Sequence, residues 1–442
     1  MQDIRFITLN PGHFHAALVQ KEMYEHVDPT VHVYAPLGAD LVAHLGRIAG
    51  FNTRASQPTR WQLEVHGSDE FLERLAREKP GNVVVIAGRN ARKIDAILAS
   101  LDAGMNVLAD KPWILVPEDL PKVQQALDRA DERGLIAYDI MTERYEITSL
   151  LQRALVQDES IFGAILPGAP EEPGVFMESV HYLKKTVAGA PLRRPPWFFD
   201  VHEQGEALSD VGTHLVDLAA WMLFPEQALD VALDASILSA ERWPTEVARD
   251  AFRQITGEAD FPANLQASLQ GDMLPYFCNS RVNYTLRGIH VKLDVIWDFE
   301  AQPGAGDTHL AIFRGSRSRV EVRQGREEKY QPELYVIPNK TMDYPLVRRA
   351  LDRKLQALQA VYPGVGVVDL GTHLRLAIPE RYRVGHEAHF AQVTKQFLRY
   401  LRQQDTLPGW EKPNMLTKYL ITTRGVALSR QARGAAKEWS HA

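Results

Sequence analysis

The first 140 residues alternate short apolar runs with amphipathic segments of helix length, and that alternation limits the folds open to the chain. Ile4 to Leu9 is apolar and stops at Asn10-Pro11-Gly12; Ala16 to Tyr24 then reads as a helix. Val31 to Tyr34 is a second strand, stopped by Pro36, and Asn82 to Ala87 a third, bounded by Pro80-Gly81 and Gly88. Ile94, Ile97, Leu98 and Leu101 have the spacing of one helix face. Gly104 ends that helix; Asn106 to Ala109 is the next strand, Leu120 to Arg133 the next helix, and Leu135 to Tyr138 a further strand. Such alternation with short loops predicts a parallel sheet with helices on both faces. A boundary is expected near Asp139 to Arg144, which gives one domain over 1–140 and another over 141–442.

The second part has a different rhythm. Strand candidates cluster from Ala267 to Ile337, among them Gly288 to Phe299, His309 to Arg314 and Arg319 to Val322. Turn signals rather than helices join them, so an antiparallel sheet is expected. Helix signals return in a tail from about residue 346: Arg348 to Val361, Ala388 to Arg402 and Met415 to Arg430. Gly168 to Gly174 reads as a solvated loop.

Composition removes several classes. With 50 Lys+Arg against 56 Asp+Glu the net charge is −6, which argues against a nucleic-acid surface. Cys278 is the single cysteine, so neither an internal disulfide nor a thiolate zinc site can form, in keeping with a reducing, cytoplasmic setting. No basic segment followed by a long apolar stretch opens the chain, so no secretory leader is expected, and no apolar run approaches membrane-helix length.

Three motifs could carry chemistry. A dinucleotide fold places G-x-G-x-x-G after its first strand, because backbone must approach a pyrophosphate there. In this chain Asn10 holds the first glycine position, Gly12 the second and His15 the third, with His13 and Phe14 between. The same His13-x-His15 would suit the metal site of an amidohydrolase barrel, completed by His181, His202 or His214. The second motif, Asp110-Lys111-Pro112, closes a strand, where ligands meet a parallel sheet. The third is Asp210-Val211-Gly212-Thr213-His214-Leu215-Val216-Asp217. If a helix begins by residue 210, Asp210 and His214 stand one turn apart, and a carboxylate beside an imidazole suits a general base. The plain alternative is Asp210 as a helix cap and His214 as a packed core residue.

In this order the motifs resemble the glucose–fructose oxidoreductase / inositol dehydrogenase / rhizopine-catabolism family (Gfo/Idh/MocA). Its members carry Glu-Lys-Pro after a Rossmann strand, matched here by Asp110-Lys111-Pro112, and Asp-x-Gly-x-His-x-x-Asp, matched by Asp210 to Asp217. Val85 to Asn90 stands where the family has a strand and loop touching the cofactor. The resemblance implies an N-terminal Rossmann domain and a C-terminal α/β domain with a large open, mainly antiparallel sheet. It implies NAD or NADP bound by Asn10, Gly12, His13, Phe14, His15, Ala87, Gly88, Arg89, Asn90, Asp110 and Lys111. It implies a sugar, polyol or glycoside substrate that loses a hydride while His214 takes the hydroxyl proton. Lys111 would donate to the same oxygen, and Asp210 would orient His214 or hold a neighbouring hydroxyl; His181, Tyr182 and Trp197 are further polar contacts to consider. No metal is required, and the open sheet suggests a dimer or tetramer. An alternative within the family is an NAD-dependent glycosidase or lyase working by transient sugar oxidation. The acidic ribose ligand is missing from the second strand's end, where Ala35-Pro36 stands and Asp40 lies further on, so NAD and NADP are left undecided. His386 and His389 of the tail are read as packing and capping residues.

Overall fold

The fold is that of a computed structural model, which describes residues 4–187 and 190–439, with side chains undescribed at 186–191 and from 432 onward. The chain divides into two compact units.

The first unit comprises Met1–Thr142, His202–Gln204 and Gly385–Lys412. Its sheet has six parallel strands: β1 Phe6–Leu9, β2 Thr30–Ala35, β3 Gln62–Gly67, β4 Val83–Ile86, β5 Asn106–Asp110 and β6 Ala137–Ile140. They lie in the order β3-β2-β1-β4-β5-β6, the doubly wound order of a Rossmann fold. Strands β1, β4 and β6 are buried along their whole length, and β4 accordingly is an unbroken apolar run. Helices α1 His15–Val19, α2 Ala39–Thr53, α3 Phe71–Glu78, α4 Lys93–Asp102 and α5 Leu120–Glu132 connect the strands. The sheet is open, with β3 and β6 at its edges, so the barrel a metal hydrolase would need is not formed.

Two boundaries differ from expectation for local reasons. Helix α1 stops at Val19 and not at Tyr24, because side chains take the next carbonyls. The Tyr24 hydroxyl donates to Val19 O, Trp61 Nε1 to Gln20 O and an Arg54 Nη2 to Lys21 O. Strand β6 begins at Ala137 because Leu135 still belongs to the end of α5. Its N–H returns to Ala130 O past Gly134, whose φ of 63° closes the helix.

The carboxyl-terminal stretch does not all follow the second unit. Helix α12, defined below, packs on the first unit: the ring of Phe390 lies 4.6 Å from His15, and Phe397 and Tyr400 lie 6.3 and 5.6 Å from Tyr138.

The second unit comprises Glu143–Val201, Gly205–Val384 and Pro413–Ala442. Its sheet has nine strands, in spatial order Ala235–Ala248, Met273–Leu286, Ile289–Glu300, Val175–Lys184, Thr308–Arg314, Ser318–Gln324, Glu333–Pro338, Leu374–Ala377 and Gly366–Asp369. All neighbours are antiparallel except Ile289–Glu300 beside Val175–Lys184. The helices are α6 Ile147–Val156, α7 Ala207–Asp210, α8 Gly212–Leu223, α9 Arg249–Thr256, α10 Ala263–Gln266 and α11 Tyr344–Leu358. Two more complete the chain, α12 His386–Arg402 and α13 Glu411–Trp439. Gln152 of α6 donates to Ala311 O and Val320 O, which fixes that helix on the sheet. Among the described residues no helix is long and apolar enough to cross a membrane.

Candidate active site

The strand order reverses between β1 and β4, and ligands of open α/β sheets bind where the order reverses. Asn10 follows β1 with φ 45°, a left-handed conformation that glycine usually supplies and asparagine tolerates. A Cβ on Gly12 would stand 3.3 Å from Asp40 Oδ2 and 3.5 Å from Gly88 Cα. One on Gly88 would stand 2.3 Å from Asn10 O, so no side chain fits there. The turns after β1 and β4 therefore meet backbone to backbone. Gly12 N–H is bonded to Asn10 O and His13 N–H to Ala87 O. The Phe14 and His15 amides have no backbone acceptor among the described residues.

His15 turns inward, where a third glycine would leave room. It is 8% exposed, and its Nδ1 lies 2.8 Å from Asp110 Oδ2. His13 Nδ1 is 3.8 Å from the same oxygen, and the His13 and His15 rings are 4.0 Å apart. Phe14 packs against both rings, and His386 and Phe390 pack on His15. His386 thus serves packing, whereas α12 is capped by Gly385 without a side-chain bond. Burial would raise Asp110, but His15, Lys93 and His13 outweigh it and hold the carboxyl well below the usual range. Burial lowers His15, more than Asp110 raises it.

Lys111 follows Asp110, is 7% exposed and forms a cis peptide with Pro112. Asn90 is fixed by its N–H to Glu203 O and its Nδ2 to Gln204 O. Lys93 joins the two motifs, donating to Asn90 Oδ1 at 2.6 Å and to Asp110 O at 2.9 Å. Sequence reasoning missed Lys93; its signal is a lysine on the apolar face of α4, one turn before Ile97. Asp40 stands beyond the strand end where the acidic ribose ligand is expected. It lies in the first turn of α2 and reaches back to Gly12, with an Arg89 Nη2 3.7 Å away. Ala87 is buried at the base of that turn.

In the second unit Asp210 ends α7 and His214 is the third residue of α8. Val211 between them keeps helical dihedrals, so the two remain one turn apart, although the expected single helix is interrupted. The Thr213 hydroxyl takes Ser209 O at 2.6 Å, and His214 N–H bonds to Val211 O instead. Asp210 is therefore not the cap of α8, a position held by Val211. A Cβ on Gly212 would lie 2.8 Å from Leu208 Cδ1, so the Leu208 side chain would have to turn aside.

Asp217, the motif's last residue, is an anchor. Arg144 grips it at 2.6 and 2.7 Å and Lys418 at 3.1 Å, and these cations outweigh burial to hold it well below the carboxylate range. The Asp210 charge acts on Arg194 and on Tyr276. Arg194 donates to Leu183 O and Tyr182 O and stacks on Phe198 and Trp297. His181 lies between Ser179 Oγ at 2.8 Å and Asp307 Oδ2 at 3.0 Å. Trp197 is buried. His202 lies with the first unit and is exposed.

A doubly wound sheet ending in this turn and this lysine, followed by an open mixed sheet, defines an α/β oxidoreductase. Residues 151–430 match the family described as putative oxidoreductase C terminal domain. A putative oxidoreductase from Parabacteroides merdae is 44% identical, with a TM-score of 0.94 over 97% of this chain and 98% of that one. GenD2 from gentamicin A biosynthesis, solved with NAD, is 15% identical, with a TM-score of 0.57 over 97% of this chain and 95% of that one. KijD10, a 3-ketoreductase from Actinomadura kijaniata solved with NADP and TDP-benzene, is also 15% identical, with a TM-score of 0.53 over 94% and 95%. These two share the fold. No curated protein sequence matches the chain. The chain belongs to the Gfo/Idh/MocA family.

Proposed function

We propose that the chain transfers a hydride between NAD and a hydroxyl-bearing carbon of a sugar, polyol or glycoside. The observation that carries this reading is the backbone-to-backbone meeting of Gly12 and Gly88 where the strand order reverses, with the Asp40 carboxylate beside it. The fit to a dinucleotide is good at each part. Asn10, Gly12, His13 and Phe14 with Ala87, Gly88, Arg89 and Asn90 would form the walls, and the Phe14 and His15 amides would face the pyrophosphate. Asp40 would accept hydrogen bonds from the adenosine ribose hydroxyls and repel a 2′-phosphate, which favours NAD over NADP. The bound nicotinamide supplies the site that gains or loses the hydride.

The chain's own groups handle the oxygen and its proton. Lys111 would donate a hydrogen bond to the reacting oxygen, held at the strand end by the Asp110–His15–Lys93 network. His214 would take the hydroxyl proton as general base, and Asp210 would orient it or hold a neighbouring hydroxyl. KijD10 is itself a 3-ketoreductase, which agrees with hydride exchange at an oxygen-bearing carbon. The reading includes a cytoplasmic homodimer or homotetramer and no catalytic metal.

Calorimetry with NAD and NADP, followed by turnover on a panel of sugars, polyols and glycosides, tests it. Micromolar NAD binding and NADH formation are expected. Failure of both dinucleotides to bind the intact protein would overturn the proposal. Glycoside cleavage without net NADH would assign the redox-neutral version of the same chemistry.

A further inference from the structure

The edge of the parallel sheet carries a second cluster of histidine and carboxylate, apart from the residues discussed so far. The register of β2 and β3 sets His32 opposite Glu64 and Tyr34 opposite His66. These four project from one face, since side chains alternate along a strand. The other face is apolar: Val33 and Ala35 pack there with Leu63 and with Leu41 and Leu45 of α2.

On the polar face His32 Nδ1 lies 3.1 Å from His66 Nε2 and 3.3 Å from Glu64 Oε2. All three donor atoms fall within 4.8 Å of one another. A tetrahedral ion with bonds of about 2.0–2.2 Å holds its ligand atoms about 3.3–3.5 Å apart, so little movement is needed. Tyr34 stacks on the His66 ring at 4.3 Å and 9°, which fixes its plane. On the side away from His32, His66 Nδ1 accepts from an Arg74 Nη2 at 3.1 Å, with Glu78 Oε2 behind at 3.7 Å. The Tyr34 hydroxyl and Arg74 Nε hold Glu78 in place at 2.6 and 2.7 Å. With an ion on Nε2 the ring proton would sit on Nδ1, and Glu78 would replace Arg74 as its partner, the carboxylate support usual behind a ligating imidazole.

We propose that His32, Glu64 and His66 bind a divalent transition-metal ion, Zn²⁺ by preference, with its fourth position open to water. Two imidazoles, one carboxylate and an open position form a familiar zinc donor set. The ion would replace the one proton that the facing imidazoles now share. His13, His15 and Asp110 also bring three donor atoms within 4.8 Å. There, however, His15 Nδ1 is already taken by Asp110 Oδ2 at 2.8 Å, at the turn assigned above to the dinucleotide.

The test is titration of chelator-treated, full-length protein with Zn²⁺, read by calorimetry and by metal analysis after gel filtration. One zinc per chain is expected, and Co²⁺ should give a tetrahedral visible spectrum. His32→Gln and His66→Gln should each weaken binding by more than the roughly 100-fold that disturbing a supporting residue costs at most. Glu64→Gln, at an exposed position that folding does not need, should weaken it as well, and Glu78→Gln by roughly 10–100-fold. His15→Gln should leave zinc binding intact. The proposal is overturned if no zinc binds, or if stoichiometric zinc survives Glu64→Gln and both histidine substitutions.

Discussion

The His15 imidazole and the Asp110 carboxylate meet at 2.8 Å and tie the turn after β1 to the end of β5. A residue at the position of a missing glycine thus becomes a strut between the two motifs of the first unit. His15→Ala should cost about 2 kcal/mol of stability, the worth of a hydrogen bond to a charged group. Urea denaturation of the variant checks this. No loss would mean that Lys93 and His13 alone satisfy Asp110.

Lys111 and His214 are assigned to the same oxygen, so their substitutions should not multiply. His214→Ala should lower turnover about 10²–10⁴-fold, as loss of a general base does. Lys111→Ala should act similarly while leaving NAD affinity nearly unchanged. The double variant should retain more activity than the product of the two singles implies. Near-normal turnover of either single variant on the true substrate would refute the assignment.

Asp40 should set the choice of dinucleotide. Asp40→Ser removes a charged acceptor beside the ribose and should shift the ratio of NAD to NADP affinity by roughly 10–100-fold toward NADP. Competitive binding of the two dinucleotides measures the ratio directly. An unchanged ratio would remove Asp40 from the cofactor site.

His44 should make the first unit sensitive to acid. It is 1% exposed, with both ring nitrogens unpartnered among the described residues, and burial followed by Arg47 lowers it to about 4. The unfolded chain therefore binds a proton below about pH 6.5 that the folded chain refuses until about pH 4. The contribution is fully present above that window and is lost as the pH falls through it, up to about 3 kcal/mol at about 1.4 kcal/mol per unit. His44→Leu should flatten this part of the stability profile. Identical slopes for the two proteins between pH 6.5 and 4 would show that His44 titrates normally.

What the sequence disclosed depended on how local each cause was. Strands β1, β4 and β5 were legible because burial on both faces leaves an apolar run. Strand β3 was not, because at the edge Gln62, Glu64, Val65 and Gly67 stay exposed. Val175–Lys184 escaped for another reason: its half-buried positions carry Glu178, His181 and Tyr182 and blur the pattern. Asn10 could stand for glycine because one left-handed residue is a local requirement. The bond from His15 to Asp110 spans 95 positions, and no spacing rule reaches that far. The return of Asp40 to Gly12 depends on the path of the loop after β2, which the missing strand-end acid concealed.

The place of α12 on the first unit bears on how the chain is made. His15 and Tyr138 emerge from a ribosome before the second unit's sheet, whereas Phe390, Phe397 and Tyr400, which cover them, emerge only after it. The nascent first unit must wait with those rings uncovered while almost all of the second is translated. Contacts of such long sequence separation slow folding, and apolar surface left bare meanwhile invites chaperones or aggregation. A chain halted before residue 385 would leave this protein with its oldest part permanently unfinished.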